Sequence, residues 1–118
     1  GDQLTVPGLN LLNGPGNDMV ACSNIACAGA QLILFTTGRG TPFASPVPTV
    51  KISTNNNLAG NKKNWIDFNA GAILETSDVN EITKELYRLI INTANGQKTH
   101  SEENGYRDFA IFKNGVTL

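Results

Sequence analysis

The residues with the clearest chemical potential gather behind an apolar run. Leu34-Phe35-Thr36-Thr37-Gly38-Arg39-Gly40-Thr41-Pro42 ends that run with a guanidinium set between two glycines. Arginine presents a rigid, planar fork of donors that pairs bidentately with a carboxylate or a phosphate. The glycines let the backbone close on an anion. The hydroxyls of Thr36, Thr37 and Thr41 are the sort of group that reads the hydroxyls of a sugar. A solvated arginine in a tight turn is the competing account. The position behind a strand-like run favours a binding loop built from Thr36, Thr37, Gly38, Arg39, Gly40 and Thr41.

Other side chains could complete such a site. Asp67 and Asn69 stand two apart, so an extended segment puts them on one face. They offer oxygen ligands to a hard cation, or a carboxylate to serve as a base. The plainer alternative is a strand-end charge met by Lys62 or Lys63. Lys51 either reaches the same edge or lies on the wet face of an alternating strand. Arg39, Lys51 and Asp67 are therefore the candidate catalytic side chains.

In residues 13–18, Asn13 and Asn17 flank a Gly-x-Gly pair. The dinucleotide pattern fails there, because Met19 holds the third glycine position and no ribose-binding acid ends the next strand. The turn is either a plain loop or a donor of backbone N–H groups to a smaller anion. His100, beside Ser101-Glu102-Glu103, reads as solvated. With one histidine and no nucleophile elbow, a hydrolase triad lacks support.

Elements must bring these residues together. Residues 9–12, 31–36, 49–54 and 65–68 read as strands, and 109–112 as a last strand or a docked segment. The continuous apolar character of 31–36 marks a strand covered on both faces, whereas 49–54 alternates and has a wetter face. Small residues over 19–28 suit a helix lying close on a sheet, capped by Asn17 or Asp18 and ended by Gly29. Residues 55–60 form a polar turn or one helical turn. Val79, Ile82, Leu86, Leu89, Ile90 and Thr93 recur at helical spacing over 79–95, with Asp78 and Glu81 as a capping box. Residues 97–105 read as a polar loop. The alternation predicts one α/β domain over 1–118: a layered sandwich with a short, mainly parallel sheet flanked by helices, Rossmann-like. The turns 13–18, 37–41 and 69–71 then share the carboxyl edge of the sheet, where open α/β sheets gather ligands.

Bulk properties narrow the class. With 118 residues, 40% apolar, 16% charged and a net charge of -1, the chain lacks the basic stripe of a nucleic-acid binder. No apolar run is long enough for a membrane span. Cys22 and Cys27 are expected as buried small thiols in a reducing, cytoplasmic compartment, because their spacing on a helix points them apart. The chain opens on Gly1 rather than Met, which suits a fragment or a processed product.

The strings PGLNLL…PGND, LILFTTGRGTPF, PTVKISTN, NWIDFNAG, ANGQKT and FAIFKNGVTL cover the chain nearly end to end. Through them it resembles the carboxyl-terminal domain of the altronate dehydratase (altronate hydrolase) and galactarate dehydratase family. Ala44 departs from the pattern, since family members often carry glycine after this loop's Pro-Phe or Pro-Tyr. The resemblance implies a longer enzyme that removes water from D-altronate to give 2-dehydro-3-deoxy-D-gluconate, with the upstream domains as partners. It also implies dependence on a divalent metal, iron or manganese, whose ligands are expected mostly upstream. Arg39 would hold the substrate carboxylate, with Asp67 or Lys51 assisting. A non-catalytic domain that binds a small carboxylate, or serves assembly into a homo-oligomer, is the alternative. The isolated piece is expected to bind sugar acid weakly and to turn nothing over.

Overall fold

The computed structural model describes residues 2–75 and 78–111. Helix α1 (Asp18–Cys27) leads into strand β1 (Ile33–Thr37), then β2 (Thr49–Ser53) and the short helix α2 (Asn56–Asn61). Strand β3 (Phe68–Asn69) runs into a 3-10 turn (Ala70–Leu74), followed by α3 (Val79–Ala94) and α4 (His100–Glu103). The three strands are parallel in the order β1-β2-β3, with Phe35 opposite Lys51 and Ile52 opposite Phe68. The α/β layering with a short parallel sheet is as expected.

Local chemistry explains the helix boundaries. The Asn17 side chain accepts from Val20 N, the Asn55 side chain from Leu58 N, and the Asp78 side chain from Glu81 N. Each satisfies a donor that the first helical turn leaves unpaired. At Thr99 and Glu102 a reciprocal capping box starts α4, where a polar loop was expected.

Strand order and face coverage change the burial that periodicity suggests. β1 is an edge strand whose burial alternates: Leu34 and Thr36 are exposed on one uncovered face, instead of both faces being covered. β2 lies between two neighbours and is buried at every position, instead of having a wet face. Residues 9–12 are not a strand: Leu9 is 95% and Leu11 93% exposed, and no sheet neighbour meets them. In the fourth expected strand, pairing is centred on Phe68 and Asn69, while Trp65 belongs to the preceding turn. Residues 109–111 form no strand. That segment is docked, with Asp108 N donating to the Ala44 carbonyl and Ala110 N to the Ser23 hydroxyl. Phe112 lies outside the described residues.

The apolar core joins α1 to one sheet face through Cys22, Ile33 and Phe43, with Ala30, Phe35 and Val47 against them. Phe35 and Phe43 meet edge to face, their centroids 6.4 Å apart. Burial, reinforced by the nearby Asp18 carboxylate, pushes the Cys22 thiol up. Cys27, on the opposite side of α1, is exposed rather than buried, and both thiols are free.

Candidate functional site

The carboxyl ends of the strands bring two of the three expected turns together. After β1, the Thr37 hydroxyl accepts Gly40 N at 2.9 Å and closes the loop around Arg39. Gly40 has φ +82, and a Cβ on it would lie 2.8 Å from Leu58 Cδ1, so both backbone and space call for glycine. After β2, Thr54 N donates to the Thr37 carbonyl and Asn55 Nδ2 to the Gly38 carbonyl, each at 3.0 Å. After β3, Asn69 Nδ2 donates to Asn56 Oδ1 at 2.7 Å, while Asn69 Oδ1 accepts Gly71 N. The two turns thus meet through Asn55 and Asn56, at the start of the segment whose sequence reads as a polar turn or one helical turn and which forms α2. A run of three asparagines directly behind an alternating strand was the available signal.

The other expected residues are placed differently. Asn13 is exposed, and its carbonyl accepts Asn24 Nδ2. Asn17 and Thr41 line a separate cleft of about 420 Å³ with Asp18, Met19, Val20, Phe43 and Ala110. Thr36 sits on the open face of the edge strand. Arg39 is exposed, and among the described residues no hydrogen bond or ion pair holds its guanidinium.

Lys51 and Asp67 form a buried polar centre beneath the loop. Lys51 is 0% exposed, and its Nζ donates to the Thr41 carbonyl at 2.7 Å, pinning the exit of the Gly-Arg-Gly loop to the central strand. Burial pushes its ammonium below the usual lysine value, against the opposing pull of the Asp67 and Asp108 carboxylates. Asp67 N donates to the Lys51 carbonyl, as a parallel ladder requires. Lys51 N instead meets Asp67 Oδ2 at 2.8 Å, so a carboxylate takes the donor where strand pairing stops. Asp67 Oδ1 accepts His100 N at 2.8 Å, and its side chain is only 5% exposed.

His100 is no free loop residue. Its Nδ1 lies 2.9 Å from the Ile66 carbonyl and 3.3 Å from Asp67 Oδ1. Neighbouring Trp65 stacks under the Lys62 ammonium, 4.5 Å from the ring centre. Among the described residues no group of three His, Cys, Asp or Glu side chains is arranged to hold a metal ion.

A parallel α/β module with its polar turns gathered at the strand ends is the class of domain this geometry defines. Residues 1–117 match the family described as D-galactarate/altronate dehydratase, C-terminal, and the chain belongs to that family. It is 52% identical over 118 residues to an altronate dehydratase of Escherichia coli K12, covering 100% of this chain and 24% of that protein. An altronate dehydratase of Bacillus subtilis 168 is 51% identical over 120 residues, with 100% of this chain and 24% of the relative covered. The L-threo-forming galactarate dehydratase of Escherichia coli K12 is 33% identical over 116 residues, 95% of this chain and 22% of the relative. The chain thus spans about a quarter of the length of these relatives, 24% for the first two.

Proposed function

We propose that this domain works within a longer hydro-lyase that removes water from D-altronate to give 2-dehydro-3-deoxy-D-gluconate. The observation that carries the reading is the 52% identity to an altronate dehydratase along the whole chain, against 33% to a galactarate dehydratase. Elimination beside a carboxylate calls for a cationic grip on that carboxylate, a base for the adjacent proton and help for the departing hydroxide. Arg39 supplies the grip: its guanidinium is open to solvent and engages no acid among the described residues. Thr37, Gly38 and Gly40 shape its loop, and Asn69 joins them through the Asn55–Asn56 corner. Asn17 and Thr41 address the rest of the sugar acid from the neighbouring cleft, an arrangement that leaves Asn13 outside. Lys51 and Asp67 act on this reading by holding the loop and its surroundings.

An iron or manganese ion would polarise the leaving hydroxyl when bound. Among the described residues no three His, Cys, Asp or Glu side chains are grouped to hold it, and on this reading most of its ligands come from the upstream domains. Two unpaired cysteines favour a cytoplasmic setting. In the whole enzyme, Arg39→Ala should lower kcat/KM on D-altronate by roughly 10- to 150-fold, about 1.5–3 kcal/mol for a lost charged hydrogen bond. Unchanged kcat/KM would remove Arg39 from the site. The nearly bare Leu9 and Leu11 favour a second reading, a domain that mainly holds the enzyme or its homo-oligomer together. On that account, changes in this domain would cost assembly while turnover per intact complex stays constant.

A further inference from the structure

We infer that His100 is the proton acceptor of the elimination, a role that rests on the dehydratase reading above. It is the single histidine of the chain. Its Nδ1 faces a carbonyl oxygen at 2.9 Å and a carboxylate oxygen at 3.3 Å, both of which only accept. Nδ1 therefore carries the hydrogen, and the lone pair of the neutral ring lies on Nε2. The same carboxylate oxygen of Asp67 holds the His100 backbone N–H at 2.8 Å, so ring and main chain are clamped by one enclosed group. A carboxylate behind an imidazole fixes its tautomer and steadies the imidazolium formed when the ring takes a proton. The far side of the ring is free to work. The side chain is 41% exposed, and Nε2 meets no partner among the described residues.

The histidine also stands near the anion loop. Its anchoring carbonyl belongs to Ile66, directly after Trp65. A Cβ on Gly40 would lie 3.7 Å from Trp65 Cε3, so the Gly-Arg-Gly loop borders the residue that directly precedes the histidine's anchor. A sugar acid gripped by Arg39 through its carboxylate would carry the acidic C–H one bond away from that grip. Nε2 takes this proton, the C–H electron pair becomes the carbon–carbon double bond, and the C–O bond of the next carbon breaks. The departing hydroxide takes a proton from solvent and leaves as water, and Nε2 returns its own to solvent. The enol then moves its hydroxyl proton to carbon through solvent and becomes the keto acid, with no oxidant or reductant.

Asp67 is on this account a positioning residue. The test uses the whole enzyme carrying His100→Asn, whose amide keeps a donor towards Ile66 but is no base. His100→Gln is made in parallel, so that misfolding of one variant leaves the other to decide. With D-altronate, kcat should fall about 10²–10⁴-fold while KM stays within about threefold. The isotope effect from deuterium beside the carboxylate should rise above that of the unaltered enzyme, with metal content and melting temperature unchanged. Near-normal kcat, an unchanged isotope effect, or activity lost in step with bound metal would overturn the assignment. An unaltered enzyme that dehydrates no sugar acid would sink the dehydratase reading first, and this role with it.

Discussion

Lys51 shows how much one residue can depend on its surroundings. A buried ammonium is tolerated only with partners, and here the Thr41 carbonyl and two nearby carboxylates provide them. Lys51→Met removes the donor to Thr41 and should destabilise the chain by about 1–3 kcal/mol at neutral pH. Because its folded pKa is lowered, the folded state binds fewer protons than the unfolded one between that value and the usual lysine value. Stability of the unaltered chain therefore rises with pH across that window, through a term the methionine variant lacks. Urea unfolding at several alkaline pH values should find the gap between the two proteins widening. A narrowing gap would mean that the native environment stabilises the charge.

At the scale of elements, the junction between α2 and the 3-10 turn holds the candidate site in shape. A Cβ on Gly71 would lie 2.5 Å from the Asn55 Cα and 2.7 Å from Asn56 N. Both contacts are with backbone, which cannot rotate away as a flexible side chain would. Gly71→Ala should therefore cost about 1–3 kcal/mol as an overpacking change, read as a lower urea midpoint. It should also lower activity of the whole enzyme, since the Asn69–Asn56 hydrogen bond spans that junction. Helix boundaries were largely legible at this scale. Asn17, Asp78 and the α3 periodicity act through neighbours a few positions away. The Thr99–Glu102 box has the same local spacing, yet the surrounding polar residues masked α4 as a loop.

For the molecule as a whole, the apolar surface left uncovered is the dominant fact. Leu9, Leu11 and Leu74 are strongly exposed, and α3 contributes exposed Tyr87 and Ile91. Such a surface suits a domain that packs on further protein. The 118-residue chain alone should show no measurable turnover of D-altronate under conditions in which the whole enzyme is active. Turnover by the isolated chain approaching that of the whole enzyme would overturn this division of labour. Its family relatives are about four times longer, with 24% of their length matched.

Amino-acid order alone settled what depends on near neighbours: the caps at Asn17 and Asp78, the helical periodicity of α3 and the alternation that makes an α/β domain. The family strings were equally legible, because identity along a chain needs no folding to be seen. Tertiary structure decided which strand is central and which sheet faces are covered. Those choices enclosed Lys51, which alternation had left open to water, and bared Leu34 and Thr36, whose apolar run had suggested cover. It also denied residues 9–12 a sheet partner and brought Asp67 to His100, 33 positions away. Burial and long-range pairing are properties of which surfaces meet, and a sequence window holds only one side of each meeting.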